Sequence, residues 1–374
     1  MMSIRCLPSV PTIQVKVERP YDVLIEQGAL ARVGECVRDI FGQNARVFVV
    51  TVPPVQKLWG AALAQSFTAA GLTHVFVEMK DGERNKTIST VEDLAEKIIA
   101  KGADRKSAVI AFGGGVVGDV AGFLASIYMR GIDVVQVPTT LLAQVDASIG
   151  GKTGVDLKAG KNLLGTFHQP RMVISDPAVL ATLDDRQFRA GLYESLKSGI
   201  IYSAELFRFM EENRERILQR DIPALEYVIA ETARVKAEVV SQDPHEGGLR
   251  RILNFGHTIG HALEAETGYR QFLHGEAVAW GMVAASMIAA AMQKSDGETA
   301  RRIISTVLAY ATLPKVDTRG KRIVRRISVD KKTVNGMPHF ILPIEIGKVE
   351  VVSDVPERAV VQAVDELRYL SLAG

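Results

Sequence analysis

With 374 residues, 47% hydrophobic and 24% charged, the chain is long enough for two cores and too apolar for a disordered protein. A formal net charge of +2 supplies no field for nucleic acid or an anionic membrane surface, so any attraction for an acidic ligand must be local. The longest apolar run, Ala277 to Met292, is short and rich in small residues, which predicts a buried core helix and not a membrane span. The N-terminus lacks the apolar core and cleavage site of a secretory signal, and two cysteines, Cys6 and Cys36, without CxxC spacing fit a reducing cytoplasm.

In chain order, RVFVVT (46–51) and THVFVEM (73–79) read as strands flanking a helix, VQKLWGAALAQSFTAAG. Ser89 and Glu92 form a capping-box pattern ahead of a helix whose apolar face carries Val91, Leu94, Ala95, Ile98 and Ile99. SAVIAF (107–112), DVVQVP (133–138) and RMVIS (171–175) continue as buried strands. Beyond Asp176 helical patterns follow one another over 203–219, 222–241, 250–265, 275–293 and 297–310, with a β-like return at HFILPIEIG (339–347). The expectation is an α/β protein: an N-terminal Rossmann-like parallel-sheet domain, residues 1–178, and a mainly α-helical C-terminal domain, residues 179–374.

Three polar turns follow strands: DGERNKT (81–87), the glycine-rich AFGGGVVGDVAGF (111–123) and PTTLLAQVD (138–146). Glycines between a strand and a helix let a phosphate approach unpaired backbone N–H groups, although a tight structural turn explains such a stretch as often. Together the turns would line one sheet edge, which favours a dinucleotide. SIGGKTGVDLKAGKNLLG (148–165) is too broken for regular structure; its Lys152 and Lys161 either solvate a surface or bind phosphate or carboxylate.

The densest chemistry lies between Asn254 and Trp280. His257 and His261 are four apart, a metal-ligand spacing on one helix face, and His274 follows in HGEAVAW. GLYESLKSG (191–199) adds a carboxylate, Glu194, one turn before Lys197, a pattern that an exposed ion pair would also explain. Arg250 and Asn254 fall on the same predicted helix as His257 and His261, forming a polar face suited to a polyhydroxylated anion.

These motifs in this order resemble the 3-dehydroquinate synthase family, from about Asp81 to Gly347: DGExxK, GGGVVGDxAGF, YMRG, PTTLLAQVD, GGKTGVD, GKNLLG, GLxExxKxG, LNFGHTxGHAxEAE and LHGEAV. The resemblance implies conversion of 3-deoxy-D-arabino-heptulosonate 7-phosphate to 3-dehydroquinate and phosphate in the shikimate pathway. The route is transient oxidation by tightly held NAD, phosphate elimination, reduction and intramolecular aldol closure, with a divalent metal, zinc or cobalt. It assigns Glu194, His257 and His274 as metal ligands, and His261, against the spacing argument, as a proton relay.

For NAD it implies the turn Asp81, Gly82, Glu83, Arg84, Asn85 and Lys86, then Gly115, Val116, Val117, Gly118 and Asp119. Thr139, Thr140, Asp146, Lys152 and Lys161, and the stretch Val179, Leu180, Ala181 and Thr182, complete that set. For the acidic sugar phosphate it implies Lys152, Asn162, Lys197, Lys236, Glu246, Arg250, Asn254 and a lysine of DKK, Lys331 or Lys332. Arg130 matches an arginine that reaches the neighbouring subunit's substrate, which implies a homodimer.

The chain departs from the family pattern at three places. Tyr193 stands where alanine is usual, DPHE (243–246) replaces D-E-x-E, and IEQG (25–28) lacks the usual I-G-x-G. None removes an implied ligand, so Tyr193→Ala is expected to keep metal content. Rival readings are another sugar phosphate cyclase, a metal-dependent polyol dehydrogenase, and a non-catalytic NAD-binding protein, the last leaving Glu194 and three histidines without a purpose.

Overall fold

The computed structural model describes residues 12–333 and 339–373, with the side chains of 329–333 and of residue 373 excepted. Cys6 and the first eleven residues lie outside these. The elements in order are β1 (Thr12–Val15), β2 (Tyr21–Ile25), α1 (Val33–Phe41), β3 (Arg46–Thr51), α2 (Pro53–Ala69), β4 (Thr73–Glu78), α3 (Ile88–Ala100), β5 (Ala108–Gly113), α4 (Gly115–Ile127), β6 (Asp133–Pro138), β7 (Lys152–Leu157), β8 (Gly160–Phe167) and β9 (Met172–Ser175). There follow α5 (Asp185–Ile201), α6 (Ala204–Glu212), α7 (Arg214–Leu218), α8 (Ile222–Gln242), α9 (His257–Glu266), α10 (His274–Ala291), α11 (Gly297–Ala309), α12 (Gly320–Thr333), β10 (Phe340–Glu345), β11 (Lys348–Val352) and α13 (Glu357–Ala373).

The chain divides into two compact units: Met1–Asp184 with Leu225–His245, and Asp185–Ala224 with Glu246–Gly374. The split falls later than the expected boundary at 178, and most of α8 groups with the first unit. Helical periodicity identifies α8 but carries no information about which core it serves.

In the first unit a seven-stranded sheet runs β1-β2-β9-β6-β5-β3-β4, parallel except for β1. Alternation along β3 sends Phe48 and Val50 into a core with Val91, Leu94 and Ile98 of α3 and Val120 of α4. Val47 and Val49 enter a second core with Val33 and Val37 of α1 and Leu63 and Phe67 of α2. Strands buried on both faces are why the sequence shows continuous apolar runs there. Strands β1 and β2, which have no reading in the sequence, extend the sheet beyond β9. Gly28 of the departing IEQG segment, at φ 83, donates its N–H to Asp176, which also caps the turn after β9.

Three local expectations change. The cap of α3 is Thr87, whose hydroxyl accepts from Thr90 N; Ser89 and Glu92 lie inside the helix, because the polar DGERNKT turn ends two residues earlier than the capping-box pattern places it. Residues 148–165 fall largely in a hairpin, β7 with β8, whose register shifts between Val155 and Leu157 and whose glycines serve close approach: a Cβ on Gly165 would lie 2.1 Å from the Thr153 carbonyl oxygen. The predicted helix 203–219 breaks at Asn213 into α6 and α7.

In the second unit α10 is buried along almost its whole length, as its apolar run requires, and α5, α9, α11, α13 and β10 pack around it. Among the described residues no helix is long and apolar enough to cross a membrane. The predicted strand near 339–347 pairs as β10 with β11.

Candidate active site

The predicted helix 250–265 is interrupted. Leu249–Asn254 forms a 3-10 stretch, Gly256 takes φ 79, and α9 starts at His257. Arg250 and Asn254 therefore do not share a helix face with His257 and His261, as the continuous periodicity predicts. The interruption has a packing cause: a Cβ on Gly281 of α10 would sit 1.8 Å from the Gly256 carbonyl oxygen, so α10 and the start of α9 touch backbone to backbone. Gly275 makes a similar approach to α5, where a Cβ would stand 1.9 Å from the Ala190 carbonyl oxygen. These two contacts bring Glu194 of α5, His257 and His261 of α9 and His274 of α10 into one cluster.

Within it, Glu194 is 1% exposed and its Oε1 has no hydrogen-bond partner. That oxygen lies 4.0 Å from His257 Nε2 and 3.8 Å from His274 Nε2. The other carboxylate oxygen accepts from the buried Lys197 ammonium. His257 donates through Nδ1 to the Phe255 carbonyl at 3.1 Å, and His274 Nδ1 pairs with Glu264 Oε2 at 3.2 Å. Both outer nitrogens are thus committed, and both Nε2 lone pairs face the orphaned oxygen. Ligand atoms of His257, His261 and His274 also lie within 4.8 Å of one another, the arrangement that the i,i+4 spacing predicts. The orphaned carboxylate oxygen favours the set Glu194, His257 and His274. Donors about 2.1 Å from a tetrahedral ion stand roughly 3.4 Å apart, so this set fits a divalent cation with small adjustments.

Burial, then the Lys197 charge and the two other histidines, holds His257 well below the usual imidazole range and keeps it neutral. Burial also pulls His274 down, but the Glu264 hydrogen bond and the charges of Glu194 and Glu264 together raise it. Sequence reasoning missed Glu264, although its position seven residues after His257 in GHALEAE puts it on the same face. It also missed Glu276, which accepts from Arg186 Nε and Nη2 at 2.6 and 2.8 Å and caps α10 through Leu273 N, setting the turn that carries His274.

Glu246, Arg250 and Asn254 lie in the stretch before α9. Arg250 is buried, and Asn254 donates to Glu246 at 3.1 Å, with Glu246 at φ 61. Lys331 falls in the last turn of α12, and its side chain, like that of Lys332, is outside the described residues. Tyr193 is fully buried with an unpartnered hydroxyl.

In the first unit the three polar turns follow β4, β5 and β6 at one end of the sheet. Asp81 and Gly82 lead into a 3-10 turn, Glu83, Arg84 and Asn85, ending at buried Lys86. Lys86 Nζ reaches Asp119 Oδ2 and Asn162 Oδ1, each at 2.5 Å. Lys161 pairs with Glu83 at 3.1 Å, and Lys236 with Asp146 at 2.7 Å. Burial pushes the Asp119 carboxyl up against the opposing pull of Lys86. Asn162 sits at φ 56 with its N–H on Asp156, whose own N–H is held by the Lys86 carbonyl.

Gly115, Val116, Val117 and Gly118 form the first turn of α4, whose cap Gly114 supplies no side-chain acceptor. A Cβ on Gly118 would approach Gln136 Oε1 to 2.8 Å. First-turn N–H groups left without a cap suit a pyrophosphate. Thr139 and Thr140 follow β6, and Val179, Leu180, Ala181 and Thr182 fall in the 3-10 turn Pro177–Thr182. Lys152 opens β7, exposed, and Arg130 is exposed at φ 72.

The family model described as 3-dehydroquinate synthase N-terminal matches residues 76–190, and the one described as 3-dehydroquinate synthase C-terminal matches 191–333. A 3-dehydroquinate synthase of Koribacter versatilis (strain Ellin345) is 60% identical over 356 residues, 95% of this chain and 97% of that protein. Among solved structures, 2-epi-5-epi-valiolone synthase from Streptomyces hygroscopicus subsp. jinggangensis 5008, with NAD+ and Zn2+ bound, matches with a TM-score of 0.86 and 29% identity, covering 99% of this chain and 100% of that one. A 2-deoxy-scyllo-inosose synthase complexed with carbaglucose-6-phosphate, NAD+ and Co2+ matches at 0.85 and 29%, covering 95% and 99%.

Proposed function

The chain belongs to the 3-dehydroquinate synthase family, and from that premise we propose that it converts 3-deoxy-D-arabino-heptulosonate 7-phosphate into 3-dehydroquinate and inorganic phosphate, as a phosphate-eliminating carbon–oxygen lyase. The observation that carries this reading is the buried, unpartnered Oε1 of Glu194 facing the Nε2 atoms of His257 and His274. When bound, NAD supplies a reversible hydride acceptor and a zinc or cobalt ion a Lewis acid for adjacent hydroxyls, so the net reaction is redox-neutral.

Glu194, His257 and His274 hold the ion, with Glu264 and the Phe255 carbonyl fixing the ring orientations. The unit spanning Met1–Asp184 and Leu225–His245 is the NAD-binding domain, the other the metal- and substrate-binding domain. Lys86 and Asp119, with the turns after β5 and β6, hold the dinucleotide. Lys152, Lys197, Lys236 and Arg250, with a DKK lysine such as Lys331, balance the phosphate and carboxylate of the substrate, and preorganised charge of this kind is a large share of catalysis. Asn162, Asn254 and Glu246 orient its hydroxyls; the left-handed backbone of Asn162 and Glu246 is strain of the sort that collects at functional positions. His261, with its ring centroid 5.1 Å from that of His257, moves the proton between substrate oxygens. Arg130, exposed and also left-handed, serves the neighbouring subunit of a homodimer. Cys36, buried and in no disulfide, accords with a cytoplasmic enzyme.

The test is phosphate release from the heptulosonate phosphate with catalytic NAD, with and without a chelator, while NADH absorbance is followed. Stoichiometric phosphate without accumulated NADH, abolished by the chelator and restored by zinc or cobalt, is the expected result. Release from sedoheptulose 7-phosphate instead, or NADH rising with turnover, overturns it.

A further inference from the structure

One side chain that no motif singled out touches the nucleotide edge. Trp59 lies on α2, and its indole Nε1 donates to the Thr182 hydroxyl at 3.0 Å. The same hydroxyl donates to the Val179 carbonyl at 3.2 Å. A threonine hydroxyl has one proton and two lone pairs, so these contacts consume the proton and one lone pair. An indole N–H can only donate, so the Trp59 contact occupies one lone pair of Thr182, and the Val179 carbonyl, an acceptor only, takes the proton. The partners are themselves fixed: Trp59 packs against the core cluster that contains Leu63, Phe67 and Val179, so one apolar cluster seats both the indole and the residue whose carbonyl takes the proton. Thr182 is exposed at the end of its 3-10 turn.

We propose that Trp59 is a positioning residue for the dinucleotide: its N–H takes one lone pair of the Thr182 hydroxyl while the Val179 carbonyl takes the proton, so the oxygen meets NAD with its remaining lone pair, and the group taken is a ribose hydroxyl or an exocyclic amine and not a phosphate oxygen. This rests on the reading of Thr182 as an NAD contact. A rotating hydroxyl would serve donors and acceptors alike; a clamped one discriminates between them, and discrimination by a buried or fixed hydrogen-bonding group is stronger than discrimination by shape.

The experiment is a double-mutant cycle on the full chain, with NAD dissociation constants measured by calorimetry for the wild type, Trp59→Phe, Thr182→Val and the pair. Trp59→Phe keeps an aromatic ring in the cluster and removes only the N–H. Each single change is expected to weaken NAD by about three- to tenfold, the worth of one hydrogen bond, and the double variant to be no weaker than Thr182→Val alone. Multiplying effects in the double variant, or a Trp59→Phe dissociation constant equal to wild type while that of Thr182→Val rises, overturns the proposal. An unchanged constant for Thr182→Val overturns the placement of NAD at Thr182 itself, and is distinguishable from failure of Trp59 alone. Should Trp59→Phe not fold, Trp59→Leu carries the test: it also lacks the N–H, it is expected to weaken NAD by about the same three- to tenfold, and wild-type affinity there sinks the idea. Repeating the cycle with nicotinamide hypoxanthine dinucleotide, which lacks the adenine amine, separates the two donors. A Thr182→Val effect that vanishes supports the amine, and one that persists supports the ribose.

Discussion

The two clusters of ionisable side chains, one in each unit, are assembled on opposite principles. Along the sheet edge of the first unit three cations already have anions: Lys86 with Asp119, Lys161 with Glu83, Lys236 with Asp146. In the second unit a buried carboxylate keeps one oxygen without a partner, and the Nε2 atoms of His257 and His274 face it. A self-neutralised edge must exchange partners to accept a charged ligand. A cluster short of one positive charge needs only a cation. The first should therefore tolerate ligand removal without strain, whereas the second should bind its ion tightly and depend on every ligand.

Glu194→Gln is the strongest way to break the contrast. It leaves the fold in place, lowers bound metal to background by elemental analysis, and reduces kcat/KM roughly a thousandfold, the scale of several kcal/mol of Lewis-acid stabilisation. Glu264→Gln comes next, weakening metal affinity by about ten- to a hundredfold, since it loosens His274 without removing a ligand. Its pH profile sharpens the point. The raised His274 proton affinity makes protons compete with the ion as pH falls through that range, and without the Glu264 charge this acid edge in a metal titration moves to lower pH.

On the opposite side, Lys86→Met should cost stability through Asp119, by about 1–3 kcal/mol at pH 7. The sign follows from linkage. Asp119 has its folded pKa raised above the unfolded value, so its burial penalty is absent at low pH and grows as pH rises through the folded pKa; Lys86 offsets it. The difference in Tm between variant and wild type should be small below about pH 4 and largest near neutrality, and a pH-independent difference would show that Lys86 acts by packing alone. The smallest effect expected is from Tyr193→Phe. Deleting an unpartnered buried hydroxyl should leave Tm unchanged or slightly higher and metal content intact, checked by calorimetry and elemental analysis.

The first unit was the more legible in the sequence, because a doubly covered parallel sheet writes itself as apolar runs: the ends of β3 and β6 coincide with those expected. What escaped there depends on contacts made across the sheet, such as β2 pairing with β9, or on a hairpin whose glycines look like disorder until the strands they join are seen together. In the second unit, periodicity ran through Asn254–His257 without marking the break, since residues on both sides keep helical spacing and only Gly256, pressed against Gly281, reveals it. The residue types of the site were visible, because His257, His274 and Glu194 stand in dense motifs. Their supports were not: Glu264 and Glu276 look like surface acids in a helix, and Trp59 like one more apolar residue of α2.

The return of Leu225–His245 to the first unit has a consequence for how the chain is made. A ribosome delivers residues in order, and a domain closes only when its last segment has left the exit tunnel. Here the sheet, complete at Ser175, must wait for a helix encoded beyond a stretch of the other unit, a pause on the order of ten seconds at ordinary elongation rates. During that interval the surface destined for the helix stands open on the nascent chain, and the first unit closes only after part of the second has been made.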